Sequence, residues 1–448
     1  MEKNEEYDVA IIGAGFSGLA SAFFLSKRGR KTVIVDGGSE PGGLASSFKF
    51  NDGVEIEKYY HHWFQNDEYI IGFLKELGLD KNIESYKSKT GMLFKGKMWK
   101  LATPMDLLRF TPISFFNRVR LGLLVFRVRL VRNWKKLEKI SVHEWLRSMV
   151  GEKVYSIVWA PLIRAKFSKY AEDINAAWMW KKLVLRGGTR SSDGSEMLLY
   201  YKGGFGALAR QIASRLETEG CDILYQIRAE QVEIDNNEIK SLILADGRKL
   251  KAKQFIFTNS FPQIVDLMKK DAPVEWIRNL ERVKYLGNIC LVLELKHSLS
   301  HIYWLNVNDD GFPFVGVIEH TNFVPPEKYQ GKHIVFLSNY ISEESREWAL
   351  SDEEYYKYCI KYIRDLNAEF DENWILDYKI WKGKYAQPIT DKNFSRYLPG
   401  HETPYSNAYI CTMAQVYPQD RGTNYAVRDG YNVSNMIHEN LKSAAITE

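Results

Sequence analysis

Between Tyr7 and Asp36 the chain reads YDVAIIGAGFSGLASAFFLSKRGRKTVIVD, with short apolar runs separated by glycines and one helical stretch. Val9 to Ile12 is a compact apolar run ending at a glycine and predicts a buried strand. Leu19 to Arg28 has helical composition, and the β-branched run Thr32 to Val35 predicts a second strand. Phe73 to Leu79 reads as an amphipathic helix. In the second half of Leu107 to Lys139, Val119, Leu123, Phe126, Leu130, Trp134 and Leu137 recur at helical spacing and form one apolar stripe. Arg118, Arg129, Arg132 and Lys136 fall on the roughly opposite face. Ser141 with Glu144 three residues on is a capping box, so Ser141 to Trp180 continues as helices. KGGFGALARQIASRL is a glycine turn entering a helix. Asp222 to Ile234, Ile239 to Leu244 and Gln254 to Thr258 then read as strands. Gly287 to Tyr340 is strand-rich, Asp352 to Phe370 reads as a helix and Trp374 to Ile389 follows it. The chain closes on a strand at AYIC and a last helix.

The glycines of the first stretch carry chemistry. Gly13, Gly15 and Gly18 form G-x-G-x-x-G between a strand and a helix, and Asp36 lies eighteen residues beyond Gly18 at the end of the next strand. Gly13 permits the tight turn, Gly15 lets the backbone approach a pyrophosphate, and Gly18 lets helix pack on strand. The unpaired N–H groups at the helix start attract phosphate, and a carboxylate at Asp36 suits a ribose diol. Strand, turn, helix, second strand and acid together predict dinucleotide binding over a chance glycine loop.

Composition narrows the classes. A length of 448 residues suggests about two to three domains. A hydrophobic fraction of 45% is that of an ordinary globular chain, and 12 Trp, 26 Tyr and 23 Phe supply aromatic cores or a stacking cavity. Cys221, Cys290, Cys359 and Cys411 lie far apart without metal-ligand spacing and read as buried small hydrophobes in a reducing compartment. The acidic start MEKNEEYD predicts no secretory signal, no run of eighteen apolar residues predicts a spanning helix, and the expected compartment is cytoplasmic. Leu107 to Lys139 holds nine Lys/Arg and one Glu, which is +8 within a chain of net +5 and leaves −3 elsewhere. A basic amphipathic helix of this kind can lie on an anionic membrane surface, at the inner face if peripheral, or can pack on the protein with its basic face in water. The acidic remainder argues against nucleic acid. The adjacent His61 and His62 read as a structural pair or, least favourably, as two metal ligands lacking a third, so no metal is expected.

After Asp36 comes GGSEPGGLASSFKF, where the doublet Gly42–Gly43 allows either a turn or a second close approach to a cofactor. With this doublet the chain resembles the flavin-dependent amine oxidase, protoporphyrinogen oxidase and phytoene desaturase superfamily, with local resemblance to UDP-galactopyranose mutase. The resemblance implies an α/β fold with a discontinuous Rossmann-type FAD-binding domain, a mixed α+β substrate domain and a helical insertion. It divides the chain into FAD-binding parts at 1–105, 199–275 and 396–448, a helical substrate or membrane-facing insertion at 106–198, and a mixed-sheet substrate domain at 276–395. It carries Gly13, Gly15, Gly18, Asp36, Gly42, Gly43, Val232, Gly422, Thr423 and Asn424 as FAD contacts. Leu44 stands where amine oxidases usually have arginine, and YYHHWFQND resembles the mutase's flavin-side loop, which puts His61 beside the flavin. Gly316 falls where the mutase holds a diphosphate-binding arginine, and Thr412 and Met413 replace the usual Gly-Asp.

The activity implied is an FAD-dependent oxidoreductase that removes hydride from a carbon of an apolar or lipid-linked small molecule. The alternative is a redox-neutral sugar-nucleotide mutase using reduced flavin, and a third reading is a flavoprotein serving as a membrane-binding or partner-binding subunit. His61, Tyr385 and Tyr417 are the expected catalytic and cavity residues. Arg164, Lys166 and Lys169 are candidates for an anionic part of the substrate, with Arg164 and Lys169 taken first, or are plain surface charge.

Overall fold

Val9, Ala10 and Ile11 are fully buried, so the first strand needs neighbours on both edges and cover on both faces. A computed structural model describes residues 6–101, 103–186 and 196–447 and supplies both. Tyr7–Ile12 runs between Thr32–Val35 and Lys249–Phe257, parallel to each, and Asp222–Leu224 extends the sheet beyond Thr32–Val35. Lys249–Phe257 divides its length. Its start pairs antiparallel with Glu238–Leu244, and its end pairs parallel with Ala408–Ile410. Ala229–Asp235 forms the far edge. The sheet thus draws on three separated stretches of chain. The helices Phe16–Ser26, Gly204–Thr218 and Thr423–Thr447 share the core on one face, and Phe261–Met268 and Val274–Arg282 cover the other.

A second seven-stranded sheet runs in the order Ile375–Pro388, Tyr285–Leu295, His333–Ile341, Gly316–Glu319, Trp304–Val307, Thr90–Phe94, Lys97–Lys100. Its long strand Tyr285–Leu295 shows the period of two: Cys290 and Val292 enter the core shared with Trp63 and Tyr200, while Ile289, Leu291 and Leu293 pack under the helix Asp352–Ile360. Thr90–Phe94 pairs parallel with Trp304–Val307. Residues 90–100 therefore belong to this sheet and not to the expected cofactor segment 1–105, with Met92 buried in the core of the helical layer and Leu93 in the core under the helix Asp352–Ile360. The expected helix from Asp352 to Phe370 stops at Ile360, and the expected strand from Asp222 to Ile234 breaks into two. All four cysteines are buried and unbridged.

The third element is a helical layer with its own core: Leu124 and Val128 of the helix Phe115–Arg129, Trp145 and Leu146 of Val142–Val150, Ile163 and Phe167 of Ala160–Phe167, and Trp178 of Ala176–Arg186. The Ser141–Glu144 capping box forms as expected. The apolar stripe does not pack inward. Val119, Leu123, Phe126 and Leu130 are 44, 43, 66 and 77% exposed, since the neighbouring helices take up the Leu124–Val128 stripe instead. The helix ends at Arg129, and Trp134 and Leu137 lie in a separate 3-10 turn, Trp134–Lys139. The part of the expected insertion at 187–195 lies outside the described residues.

Glu138 ties this layer to the cofactor domain. Buried to 5% exposure, it accepts the Ser395 N–H and hydroxyl at 2.7 Å each. Hydrogen bonds to a charged acceptor are worth about 1.5–3 kcal/mol each. Glu138→Ala should therefore lower unfolding free energy by about 3 kcal/mol in urea titration, whereas Lys139→Ala, at an exposed neighbour, should change it by less than about 0.5 kcal/mol.

Candidate functional site

The cofactor loop is built by crowding on one side and open space on the other. A side chain at Gly18 would lie 1.9 Å from the Gly13 carbonyl oxygen, so only glycine lets the helix start this close to the strand. Gly13 has φ +110 and faces Thr258, whose hydroxyl donates to the Ile12 carbonyl at 2.8 Å. Gly15 differs: a Cβ there meets nothing within 4 Å. Leu19 N–H makes the first bond of the helix, to Gly15, so the N–H groups ahead of it lie at an open helix N-terminus. Asp36 braces the loop, its two oxygens accepting the Ala14 and Gly38 N–H groups at 2.6 Å each. Gly42 N–H donates to the Ala14 carbonyl at 2.8 Å, and Gly43 lies against Gly15. The doublet is thus the second wall of the same cradle. Asn259, just past the strand that ends beside Gly13, keeps a buried Oδ1 without a partner among the described residues. Space at Gly15 and open helix N–H groups fit a dinucleotide phosphate, while the unpaired Asn259 oxygen is an acceptor suited to a donor such as a ribose hydroxyl.

Val232 does not reach this cradle. It stands opposite Leu242 in the edge strand with its side chain in the core. The backbone that meets the Asp36–Gly38 loop is Gln226–Ile227: Gln226 N–H donates to Gly38 and Ile227 N–H to Asp36. Arg228 follows at once and lays its side chain over Gly37. The strand break at 225–228, which the run of apolar residues conceals, moves the contact forward.

The segment from Tyr59 to Glu76 is pinned to the last helix. Trp63 Nε1 donates to Thr423 Oγ1 at 2.7 Å, and Ile70 N–H donates to Asn424 Oδ1 at 3.1 Å. Both side chains are engaged within the protein, so what Gly422, Thr423 and Asn424 can offer a cofactor is the N–H groups of a 25-residue helix, whose dipole favours negative charge. Thr412 N–H is taken by Gln415 Oε1 at 2.8 Å. His61 packs beside Phe205, its Nδ1 lies 2.6 Å from the Tyr59 carbonyl, and burial pushes its pKa down to about 4, with Arg421 adding to the effect. His62 meets the Tyr303 hydroxyl at 2.9 Å. Among the described residues no three His, Cys, Asp or Glu side chains converge as metal ligands.

The expected tyrosines separate. Tyr385 packs on Tyr285 at 5.6 Å. Two residues earlier on its strand, Gly383 faces Tyr59 and Leu44, which brings this strand to the flavin-side loop. Tyr417 lies between Trp134 and Phe394, a core contact where the helical layer meets the cofactor domain, and not a site residue.

The cations also sort. Arg164 is exposed, and Lys169 pairs with Glu344 at 2.7 Å on the rim of a surface cavity of about 390 Å³ that none of the cradle residues lines. Lys166 turns inward instead. Its ammonium lies 3.4 Å from Asp420, and Lys182 reaches the same carboxylate at 2.9 Å. Arg421 donates to the Ala386 carbonyl at 2.6 Å and the Tyr340 hydroxyl at 3.3 Å. Burial works against the Asp420 charge, but Lys166, Lys182 and Arg421 overcome it and hold the carboxyl well below its ordinary range. From Tyr340 the polar chain continues through Tyr60 and Ser338 to Asn288. Gly316 stands opposite Ser338 on the strand that carries Tyr340, and Arg421 reaches Tyr340 on that strand from the other end of the chain. Lys182, Asp420 and Arg421 escaped the sequence reading because only folding brings helix, loop and sheet together; the charged pair Asp420–Arg421 directly before a helix was the available signal.

A family model described as flavin-containing amine oxidoreductase matches residues 16–437. The 15-cis-phytoene desaturase of Solanum lycopersicum is 23% identical over 288 residues, covering 60% of this chain and 48% of that protein. The chain spans about half the length of the first curated relatives it matches. A putative protoporphyrinogen oxidase from Exiguobacterium superposes with a TM-score of 0.76 at 14% identity, covering 97% of this chain and 99% of the other. A reduced UDP-galactopyranose mutase also reaches 0.76, at 15% identity over 97% and 96%. These two likenesses show the fold. The cofactor is FAD.

Gly15→Val should yield a folded protein with its melting temperature nearly unchanged in the apo form and little bound flavin, because the new atoms enter the space the cofactor needs. Gly18→Val should fail to fold. Absorbance near the flavin bands and thermal denaturation separate the two outcomes. His61 titrates at about 4 in the folded chain against 6.5 in the unfolded one, so the unfolded state takes up the proton first as pH falls. Stability is therefore complete above pH 6.5 and declines towards pH 4; His61→Phe should lessen that decline in calorimetry.

Proposed function

The chain belongs to the flavin-containing amine oxidoreductases, and on that footing we propose that it dehydrogenates an apolar or lipid-linked small molecule at a membrane surface. Bound FAD supplies two-electron oxidation by accepting a hydride from a carbon. The protein's part is to hold, orient and exclude water. Gly13 to Gly18, Asp36 and the Gly42–Gly43 doublet would hold the phosphates and ribose. The N-terminal dipole of the last helix would stabilise negative charge on the reduced cofactor. His61, neutral at ordinary pH, shapes the flavin side and does not serve as an acid, which suits chemistry that needs no proton donor. Phe205 packs against His61 with ring centroids 5.2 Å apart.

The observation that carries the substrate half of this reading is the apolar outer face of the helical layer. Phe115, Phe116, Val119, Leu123, Phe126 and Leu130 stand exposed in one helical segment, and Met105 and Leu108 stand exposed on the helix Pro104–Arg109 beside it. Arg120, Arg132, Lys135, Lys136 and Lys139 of the same stretch are exposed to water, and its one acid, Glu138, is buried. A large apolar patch with a basic border suits an anionic bilayer as its partner. Among the described residues no helix is long and apolar enough to cross a membrane, so the contact would be peripheral. Trp180 Nε1 donates to the Val128 carbonyl and joins this helix to Ala176–Arg186, which carries Lys182. A substrate drawn from the lipid phase would thus enter through the layer that borders the site.

Anaerobic addition of an apolar polyene or prenyl substrate should bleach the oxidised flavin once per molecule converted. Turnover of a UDP-sugar by dithionite-reduced enzyme alone, with an unchanged flavin spectrum, would replace this reading with the mutase. Vesicles of phosphatidylglycerol and phosphatidylcholine should sediment the protein, and pure phosphatidylcholine far less. Basic side chains near the surface contribute about 1 kcal/mol each and a fully buried phenylalanine about 1.5–3 kcal/mol. Arg120→Glu with Arg132→Glu should weaken binding in low salt, and Phe116→Ser with Leu130→Ser should weaken it at every salt concentration. Arg118 is left intact because it caps the preceding turn through the Ile113 and Leu108 carbonyls.

A further inference from the structure

We propose that Asn288, with the Tyr59 hydroxyl beside it, forms a subsite that binds a neutral hydroxyl group of the substrate; this rests on the dehydrogenase reading and narrows its substrate to an apolar alcohol. Side chains on the long strand Tyr285–Leu295 alternate between faces, and Asn288 shares its face with Cys290 and Val292, which enter the core around Trp63. That is the face the flavin-side loop covers. The Tyr60 ring lies on it, 4.9 Å from Trp304 and 6.1 Å from Phe336, with its hydroxyl 3.3 Å from Ser338 Oγ. Asn288 stands opposite Tyr340 on one neighbouring strand and opposite Gly383 on the other. A Cβ at Gly383 would lie 2.7 Å from the Tyr59 oxygen, so that hydroxyl takes the place beside Asn288 where a side chain would otherwise stand.

A polar side chain at this point costs stability unless something answers it. Asn288 is 3% exposed and sits between Leu286 and Cys290, both fully buried. Its Nδ2 donates to Ser338 Oγ at 2.8 Å, and its Oδ1 has no partner among the described residues. Turning the amide over would only exchange which end is open, since Ser338 meets one end at a time. The Tyr59 hydroxyl likewise makes no hydrogen bond among the described residues. One strand pair further along, Gln387 stands opposite Leu286 at 2% exposure and also keeps its Oε1 unpaired among the described residues. Buried polar groups in folded proteins are paired, and those left open call for a ligand that pairs them. A hydroxyl both donates and accepts, so it can meet the amide and the phenol together.

The charge around the subsite selects an uncharged group. Arg421 donates to the Tyr340 hydroxyl at 3.3 Å, and its charge adds to the burial that holds the His61 imidazole unprotonated. Asp420, next to it in the chain, is turned to Lys166 and Lys182. No carboxylate hydrogen-bonds to Tyr60, Ser338, Tyr340 or Asn288 among the described residues. An ammonium group would therefore enter a field of its own sign with no acid to receive it, whereas an alcohol brings no charge.

The test is binding to FAD-loaded protein, followed by the flavin difference spectrum. Geraniol, farnesol and phytol are each titrated beside the hydrocarbon of the same skeleton, and geranylamine beside geraniol. At least one alcohol should bind about tenfold or more tightly than its hydrocarbon, because the analogue without the hydroxyl leaves the buried groups unpaired. Geranylamine at neutral pH should bind no better than the hydrocarbon. Asn288→Leu should remove the preference for the alcohol. Asn288→Asp, which keeps the shape and adds a negative charge, should reverse the order so that the amine binds more tightly; it carries the test alone if the leucine variant does not fold. Asn339→Ala, on the opposite face of the neighbouring strand with its amide donating to the Pro313 carbonyl, should leave the preference unchanged. The subsite is overturned if no alcohol binds more tightly than its hydrocarbon, if the parent protein prefers the amine, or if the Asn288 variants keep the parent's order. Colourless protein would mark failure of the cofactor reading instead. Turnover of a UDP-sugar by reduced enzyme alone would mark failure of the dehydrogenase reading.

Discussion

The structure depends on the approach of Gly18 to the Gly13 carbonyl, closer than any side chain permits. That approach fixes the first helix against the first strand and aims its N-terminus along the strand's end. From it follow the open space at Gly15, the brace from Asp36 to the Ala14 N–H, and the seating of the Gly42–Gly43 doublet on the loop. The last helix then packs along the first, so a helix from the far end of the chain completes the same layer.

Nearly all of that was legible in the sequence because it is local. Strand, glycine turn, helix and acid fall within thirty residues, and each step is dictated by backbone sterics that do not depend on the rest of the fold. The same holds for the Ser141–Glu144 cap, where three residues settle the geometry. Where a feature depends on what packs against it, the pattern was ambiguous. The helix Phe115–Arg129 carries apolar residues on two faces. Periodicity can find a stripe, but the neighbours Val142–Val150 and Ala176–Arg186 decide which stripe is buried, and they bury Leu124 and Val128. Residues 90–100 show the same limit: their apolar positions predict a strand, not the sheet it joins.

The site's polar side was the least legible part, for a related reason. Arg164, Lys166 and Lys169 lie within six residues and have the same charge, so composition cannot rank them. On a helix a step of two residues reverses the face, and this sends Arg164 to water and Lys166 to Asp420. Val232 was displaced similarly, since a break of four residues at 225–228 shifts which backbone meets the Asp36 loop. Arg421 was equally hidden: it reaches Tyr340, on the strand opposite Gly316, from a loop about eighty residues further on.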